Sequence, residues 1–139
     1  MVELFFKPSL FLKRSCALVL LLLWMAVIFT FSSLPGKQTD GPPPLWYFIE
    51  RKGAHVFEYA LLMLLAFRFF RYSFSQEKRT LLLLLAATFS LVYGVTDELH
   101  QFFVPLRGAR MPDVFIDGLG ILFMTTLLFL TTKKSLPKE

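Results

Sequence analysis

The fold is decided by the stretch TLLLLLAATFSLVYGVTDE, residues 80–98, which carries no charge before the two acids at its end. A membrane-spanning helix needs about 20 mostly apolar residues, and this stretch has the required length. Three other runs, at residues 16–31, 53–70 and 113–132, have the same apolar character. We therefore predict four membrane-spanning helices. We expect the first to be retained rather than cleaved as a signal peptide, because no clear small-x-small site follows it.

The overall composition is also typical of a membrane protein. Of the 139 residues, 55% are hydrophobic and 18% are charged, whereas soluble domains carry about 25% charged residues. The length suits one domain, so we predict a single membrane domain over residues 1–139. The net charge is +5, but the basic residues are scattered at the ends of apolar runs and form no compact stripe. We therefore expect no nucleic-acid partner.

The distribution of Lys and Arg predicts the orientation of the helices. If the N-terminus is cytoplasmic, two thirds of these residues lie on the cytoplasmic side, as the positive-inside rule requires. The outer side then keeps only Lys37, Arg51, Lys52, Arg107 and Arg110. We predict an all-α, antiparallel four-helix bundle in the bacterial inner (plasma) membrane, with both termini cytoplasmic. The outer segment LWYFIE, residues 45–50, has aromatic residues suited to the headgroup level, so we expect it to lie along the membrane surface.

Polar side chains collect at the predicted outer end of three helices. His55 and Glu58 are three residues apart, which places them on one face of the second helix. With a rise of 1.5 Å per residue, the polar groups of the second and fourth helices lie within about 10 Å of the outer boundary. The candidate binding residues are Lys52, His55, Glu58, Asp97, Glu98, Gln101, Arg107, Arg110, Asp113 and Asp117. The candidates for acid–base catalysis are Glu58, Asp97 and His100.

Two interpretations of this outer-leaflet polar cluster remain open. Ionisable groups within a bilayer are costly, and they generally pair with one another or line a cavity. The cluster is therefore either a closed salt-bridge network that only holds the helices together, or the lining of an outer pocket. Asp113, directly after Pro112, also suits the start of a helix.

The sequence assigns no metal and no cofactor. It contains no HExxH, GxSxG or P-loop motif, and its two histidines, His55 and His100, lie on different predicted helices. The cluster nevertheless offers nitrogen and oxygen ligands that suit zinc or another divalent ion, so a metal site stays an open alternative. The same side chains would also serve acid–base chemistry, although spacing alone does not establish it.

Four segments, in the same order along the chain, carry a family resemblance. They are WMAVIFTFSSLPG (24–36), RKGAHVFEYALL (51–62), TDELHQFFVPLRGARMPDV (96–114) and DVFIDGLG (113–120). The third is the most specific, since it reads Asp-Glu-x-x-Gln-x-Phe-x-Pro-x-Arg and is followed by an Asp. Over about residues 20–130 the chain resembles the VanZ-like family of small bacterial membrane proteins. It departs from that family at Asp117, where the typical residue is Asn.

The resemblance implies a membrane protein of the cell envelope. The family is named for a protein linked to low-level resistance to the glycopeptide teicoplanin, and the resemblance implies no particular reaction or cofactor. We therefore expect membrane lipids, and a lipid-linked envelope precursor or a glycopeptide, as partners. In an outer pocket, Lys52, Arg107 and Arg110 would meet an anionic headgroup, with Trp46, Phe102 and Phe103 beside the acyl chain. An intramembrane acid–base enzyme acting on an envelope lipid is the alternative.

Overall fold

The computed structural model shows a chain whose regular elements, within the residues that it describes, are all α-helices. It describes residues 9–36, 44–74, 76–107 and 111–131. The helices are α1 (Leu10–Ser32), α2 (Leu45–Ser73), α3 (Arg79–Phe102) and α4 (Met111–Thr131). Each is long and apolar enough to cross a membrane. The prediction of an all-α protein with four such helices is therefore confirmed.

The local sequence explains where several helices begin and end. The hydroxyl of Ser9 accepts a hydrogen bond of 3.2 Å from the backbone N–H of Leu12, which caps the start of α1. Pro44 directly precedes α2, a position where its missing N–H costs no helical hydrogen bond. Pro105 follows shortly after the end of α3, as its inability to continue a helix predicts.

Helix α2 begins earlier than the sequence predicted. Residues 45–50, which we expected to lie along the membrane surface, form the first turns of α2 instead. No proline interrupts the chain after Pro44, and Gly53 faces open space within the helix. With 29 residues, α2 is about 43 Å long and exceeds a hydrocarbon core of about 30 Å. Its first turns therefore project beyond the apolar span predicted at residues 53–70.

The four helices are not equivalent, because α2 occupies the centre. It packs against α1, α3 and α4, whereas α1 and α4 do not contact each other within the described ranges. The core lies along α2 and is completed by residues of the other helices. Its fully buried members on α2 include Tyr59, Leu62, Met63 and Ala66. The outward faces of the helices are rich in exposed Leu and Phe, an apolar surface too extensive for a soluble monomer.

Gly120 allows α4 to approach α2 closely. A Cβ added to Gly120 would collide with the carbonyl oxygen of Val56 and would lie 3.1 Å from the backbone nitrogen of Ala60. Small residues allow this kind of close helix packing in membranes. Gly118, two residues away and about half a turn around the helix, faces open space and has no such role.

Side chains on α1 and α3 also bond to backbone carbonyls across the bundle. The indole nitrogen of Trp24 donates a 3.0 Å hydrogen bond to the carbonyl of Glu58. The Tyr93 hydroxyl donates a 2.7 Å bond to the carbonyl of Met25. These bonds hold α1 in register with the helices that carry the polar residues.

Candidate functional site

The predicted polar residues meet at one end of the bundle, which we call the polar end. It is the end where α1 and α3 finish and where α2 and α4 begin. Six of the candidate side chains are buried there: His55, Asp97, Glu98, Gln101, Asp113 and Asp117. We call these six residues the buried polar cluster. Arg110 falls outside the described residues.

Asp113 at the start of α4 is paired with two neighbouring bases of α2. Lys52 Nζ forms a direct ion pair with Asp113 Oδ1, and Arg51 Nη2 lies 3.7 Å from Asp113 Oδ2. The Asp113 side chain is only 1% exposed, so its charge needs these partners. Lys52 is therefore part of a helix–helix contact, whereas from the sequence we expected it to meet an anionic headgroup.

His55 on α2 pairs with Asp117 on α4. The Nδ1 atom of His55 lies 2.9 Å from Asp117 Oδ1, and both side chains are almost fully buried. This contact joins two of the sequence segments that carry the family resemblance. Asp117 thus belongs to the cluster, and one of its two carboxylate oxygens forms a hydrogen bond with His55.

A chain of hydrogen bonds runs from Asp97 to Arg107. Gln101 Nε2 donates a 2.7 Å bond to Asp97 Oδ2, and Arg107 Nε donates a 3.1 Å bond to Gln101 Oε1. Arg107 also donates to the backbone carbonyls of Phe31 and Leu34 at the end of α1. In the part of the chain that the structure describes, no carboxylate forms a salt bridge with it. Burial and the nearby Arg51 both lower the pKa of Arg107 from its ordinary value.

The turn that carries Arg107 is strained, and it is stabilised by contacts with Gly36. Leu106 has a φ of 61°, a left-handed conformation that costs a non-glycine residue about 1–2 kcal/mol. Gly36 donates a 3.1 Å backbone bond to the carbonyl of Pro105. A Cβ on Gly36 would collide with the carbonyl of Leu106. The segment after α1 therefore packs directly against the turn after α3, and this contact fixes the position of Arg107.

A cavity of about 780 Å³ opens at the polar end, between α2, the end of α1 and the turn after α3. Its polar lining includes Arg51, His55, Glu58 and Arg107. Apolar and aromatic groups form much of the remaining lining: Phe31, Leu34, Pro35, Trp46, Tyr47 and Ala54. The cavity thus combines two guanidinium groups with an apolar wall.

Only part of the predicted site lines this cavity. Of the predicted residues that the structure describes, His55, Glu58 and Arg107 line it, while the other buried members of the cluster do not. Trp46 lines the cavity, whereas Phe102 and Phe103, the other two residues predicted beside an acyl chain, do not.

His100 faces α1 instead of the cavity. Its ring stacks on Phe29 with centroids 4.6 Å apart, and its Nε2 lies 3.0 Å from the Ser33 hydroxyl oxygen. Among the three catalytic candidates, only Glu58 therefore borders the cavity.

Sequence reasoning missed Arg51, Tyr47 and Glu50 as lining residues. They lie on the same face of α2 as Ala54 and Glu58, at spacings of three and four residues. The signal was present in the sequence. It was overlooked because the second helix was predicted to start at residue 53, so the residues before it had no assigned face.

Three members of the cluster also form a group with metal-binding potential. His55, Glu98 and Asp117 each place one ligand atom within 4.8 Å of the other two. They come from α2, α3 and α4, so no local sequence motif reveals the group.

Comparison with known proteins decides the family. A family model described as VanZ/LLP1 matches residues 17–132, which include nearly all of the four helices. The chain belongs to the VanZ/LLP1 family. The resemblance stated from the four sequence segments is therefore confirmed. Comparisons of this VanZ/LLP1 protein with curated proteins and with solved structures found no match.

Proposed function

We propose that this VanZ/LLP1 protein binds an anionic, amphipathic molecule of the cell envelope in the cavity at the polar end. The observation that carries the proposal is that Arg51 and Arg107 line one cavity together with aromatic and apolar side chains. The volume of about 780 Å³ falls within the range of known ligand pockets, about 300–1,000 Å³. It suits a headgroup together with the first part of an acyl chain.

The hydrogen-bonding state of the two guanidinium groups supports an anion as the ligand. Arg107 is bonded to an amide and to carbonyls, and no described carboxylate pairs with it directly. Arg51 lies 3.7 Å from Asp113, whose other oxygen is already paired with Lys52. A guanidinium binds phosphate or carboxylate through two parallel hydrogen bonds. Glu50 and Glu58 also line the cavity, but an anionic headgroup between Arg51 and Arg107 would pair directly with both guanidinium groups.

The proposed position in the membrane gives the ligand a source. The excess of Lys and Arg at the opposite end of the helices favours cytoplasmic termini in the plasma membrane, with the polar end at the outer leaflet. There the cavity meets envelope lipids, lipid-linked precursors and lipophilic glycopeptides. Binding of such molecules would also link this protein to glycopeptide (teicoplanin) resistance. A C-terminal fluorescent-protein fusion that stays dark while an alkaline phosphatase fusion is active would contradict this orientation.

Binding of phosphatidylglycerol is the direct test. We expect purified protein in a zwitterionic detergent to bind fluorescent phosphatidylglycerol more tightly than fluorescent phosphatidylcholine. Arg51→Gln should weaken that binding about tenfold, since a hydrogen bond to a charged group contributes about 1.5–3 kcal/mol. Arg71→Gln, at the far end of the same helix, is the matched control and should bind like the wild type. Equal affinities for the two lipids, or an equal loss in both variants, would contradict the proposal.

An intramembrane acid–base enzyme is a second candidate, and one contact favours it. The His55–Asp117 pair resembles the pairing by which a carboxylate orients a catalytic histidine, and His55 lines the cavity beside Glu58. Incubation of the protein with radiolabelled envelope lipids tests it. A product that forms with the wild type and is absent with Glu58→Gln supports catalysis. Binding without any product supports the binding protein.

A further inference from the structure

Within the part of the chain that the structure describes, the side chain of Arg107 is held by neutral acceptors. Its Nε donates a 3.1 Å hydrogen bond to the side-chain oxygen of Gln101, and its Nη1 donates to the backbone carbonyls of Phe31 and Leu34. A guanidinium stays charged in proteins, and these oxygens carry no formal charge that would cancel it. Arg107 is therefore fixed in position and still positively charged.

The side-chain amide of Gln101 can serve Arg107 in one orientation only. Arginine has only donors, so the amide oxygen of Gln101 must face it. The amide nitrogen then points to the other side, where it donates a 2.7 Å bond to Asp97 Oδ2. Gln101 and Asp97 are only 1% and 6% exposed, so the loss of either partner would leave a buried polar group unpaired. Asp97 thus stabilises the amide orientation that Arg107 needs.

Neither Asp97 nor Gln101 lines the cavity, whereas Arg107 does. Any effect of these two side chains on a ligand in the cavity must therefore pass through Arg107. The Nη2 nitrogen of Arg107 has no hydrogen-bond partner among the described residues. It is the part of the guanidinium that remains for a ligand.

We propose that Gln101 is a positioning residue for the ligand: held by Asp97, its neutral amide directs Arg107 at the anionic group and leaves the charge of Arg107 uncancelled. This inference rests on the proposed function, and it names the residues that prepare the site. Glu50 and Glu58 already line the cavity. A further carboxylate bonded directly to Arg107 would pair with it in place of the ligand.

An ion pair elsewhere at the polar end shows the alternative arrangement. There the ammonium of Lys52 is paired directly with the buried carboxylate of Asp113, and Lys52 does not line the cavity. Glutamate and glutamine have nearly the same shape, so a glutamate at position 101 would hold Arg107 equally well. The difference between the two residues at this position is therefore one of charge.

Two variants separate the position of Arg107 from its charge. Gln101→Met removes the acceptor at nearly constant volume and should release Arg107. In the double variant Asp97→Asn/Gln101→Glu, the new asparagine amide donates to the new carboxylate, which still accepts from Arg107 Nε. This variant should keep Arg107 in place and neutralise it. Gln76→Glu adds the same charge in the exposed turn between α2 and α3, at the opposite end of the bundle, and is the matched control.

Binding and hydrogen exchange are measured on the same purified proteins in zwitterionic detergent. The Kd for fluorescent phosphatidylglycerol should rise about tenfold in Gln101→Met and in the double variant, and should stay at the wild-type value in Gln76→Glu. Exchange of the Arg107 Nε–H with water is followed by ¹⁵N NMR, with the signal assigned by its loss in Arg107→Lys. It should be slow in the wild type and in the double variant, and fast in Gln101→Met.

A purely structural contact predicts a different outcome for the double variant, which keeps every hydrogen bond of the chain. Wild-type affinity for phosphatidylglycerol in that variant would overturn the role of charge. Exchange as slow in Gln101→Met as in the wild type would overturn the positioning role. If Gln101→Met does not fold, the double variant alone decides. A wild type that binds phosphatidylcholine equally well would instead refute the proposed function, and the exchange rates would still judge whether Gln101 positions Arg107.

Discussion

Replacement of Gly120 by alanine should loosen the contact between α2 and α4 on which the site depends. The added Cβ would collide with the carbonyl oxygen of Val56 and would lie 3.0 Å from its carbonyl carbon. These are backbone atoms of the central helix, so no side-chain rotation relieves the clash. Overpacking of this kind costs about 1–3 kcal/mol. We expect a net loss of about 2 kcal/mol for Gly120→Ala.

The matched control for this change lies two residues away on the same helix. A Cβ at Gly118 meets nothing within 4 Å, so Gly118→Ala should change the stability by less than about 0.5 kcal/mol. Thermal unfolding in detergent, followed by tryptophan fluorescence, measures both. Gly120→Ala should melt about 6 °C below the wild type, and Gly118→Ala close to it. Equal melting temperatures for the two variants would refute the packing argument.

The same substitution has a consequence at the polar end. Asp113 and Asp117 lie on α4 within two turns of Gly120, and they contact Lys52 and His55 of α2. A wider separation of the two helices should stretch both contacts. We therefore expect Gly120→Ala, but not Gly118→Ala, to weaken lipid binding as well as to lower the melting temperature.

Three further substitutions test individual contacts. Lys52→Gln should lower the stability by only about 1 kcal/mol, because Arg51 remains beside Asp113; a loss above about 3 kcal/mol in thermal unfolding would contradict this. Tyr93→Phe removes the hydrogen bond from the Tyr93 hydroxyl to the Met25 carbonyl of α1 and should lower the free energy of unfolding by about 0.6 kcal/mol. An unchanged free energy of unfolding in the same assay would contradict this. His100→Gln should leave the Kd for phosphatidylglycerol unchanged, since its ring faces α1; a clear rise in Kd would place it at the ligand.

The sequence alone was sufficient to predict the four helices and the end at which the polar groups meet. Apolar runs of about 20 residues have few alternatives in water or lipid, which is why the helix count is predictable. The convergence of polar groups also followed from their position along each predicted span. The bond between Asp97 and Gln101 realises a four-residue spacing on one helix face.

The partners across helices could not be predicted in this way. Whether Lys52 meets a ligand or Asp113 depends on the rotation of α2 against α4, which Gly120 and the core residues set together. The predicted start of α2 was wrong because the first turns of the helix are too amphipathic to be recognised as part of a membrane span. That error concealed Arg51, which the structure places at the cavity beside Arg107.

The most direct test of the proposed cavity is photo-crosslinking with an anionic lipid that carries a diazirine near its headgroup. After illumination, the modified residues are mapped by mass spectrometry of peptides. We predict that adducts concentrate on the cavity lining, at Trp46, Tyr47 and Leu34, and that an excess of unlabelled phosphatidylglycerol removes them. Adducts spread evenly over exposed apolar residues such as Phe123, and unaffected by that competitor, would contradict the claim that this cavity binds an anionic lipid.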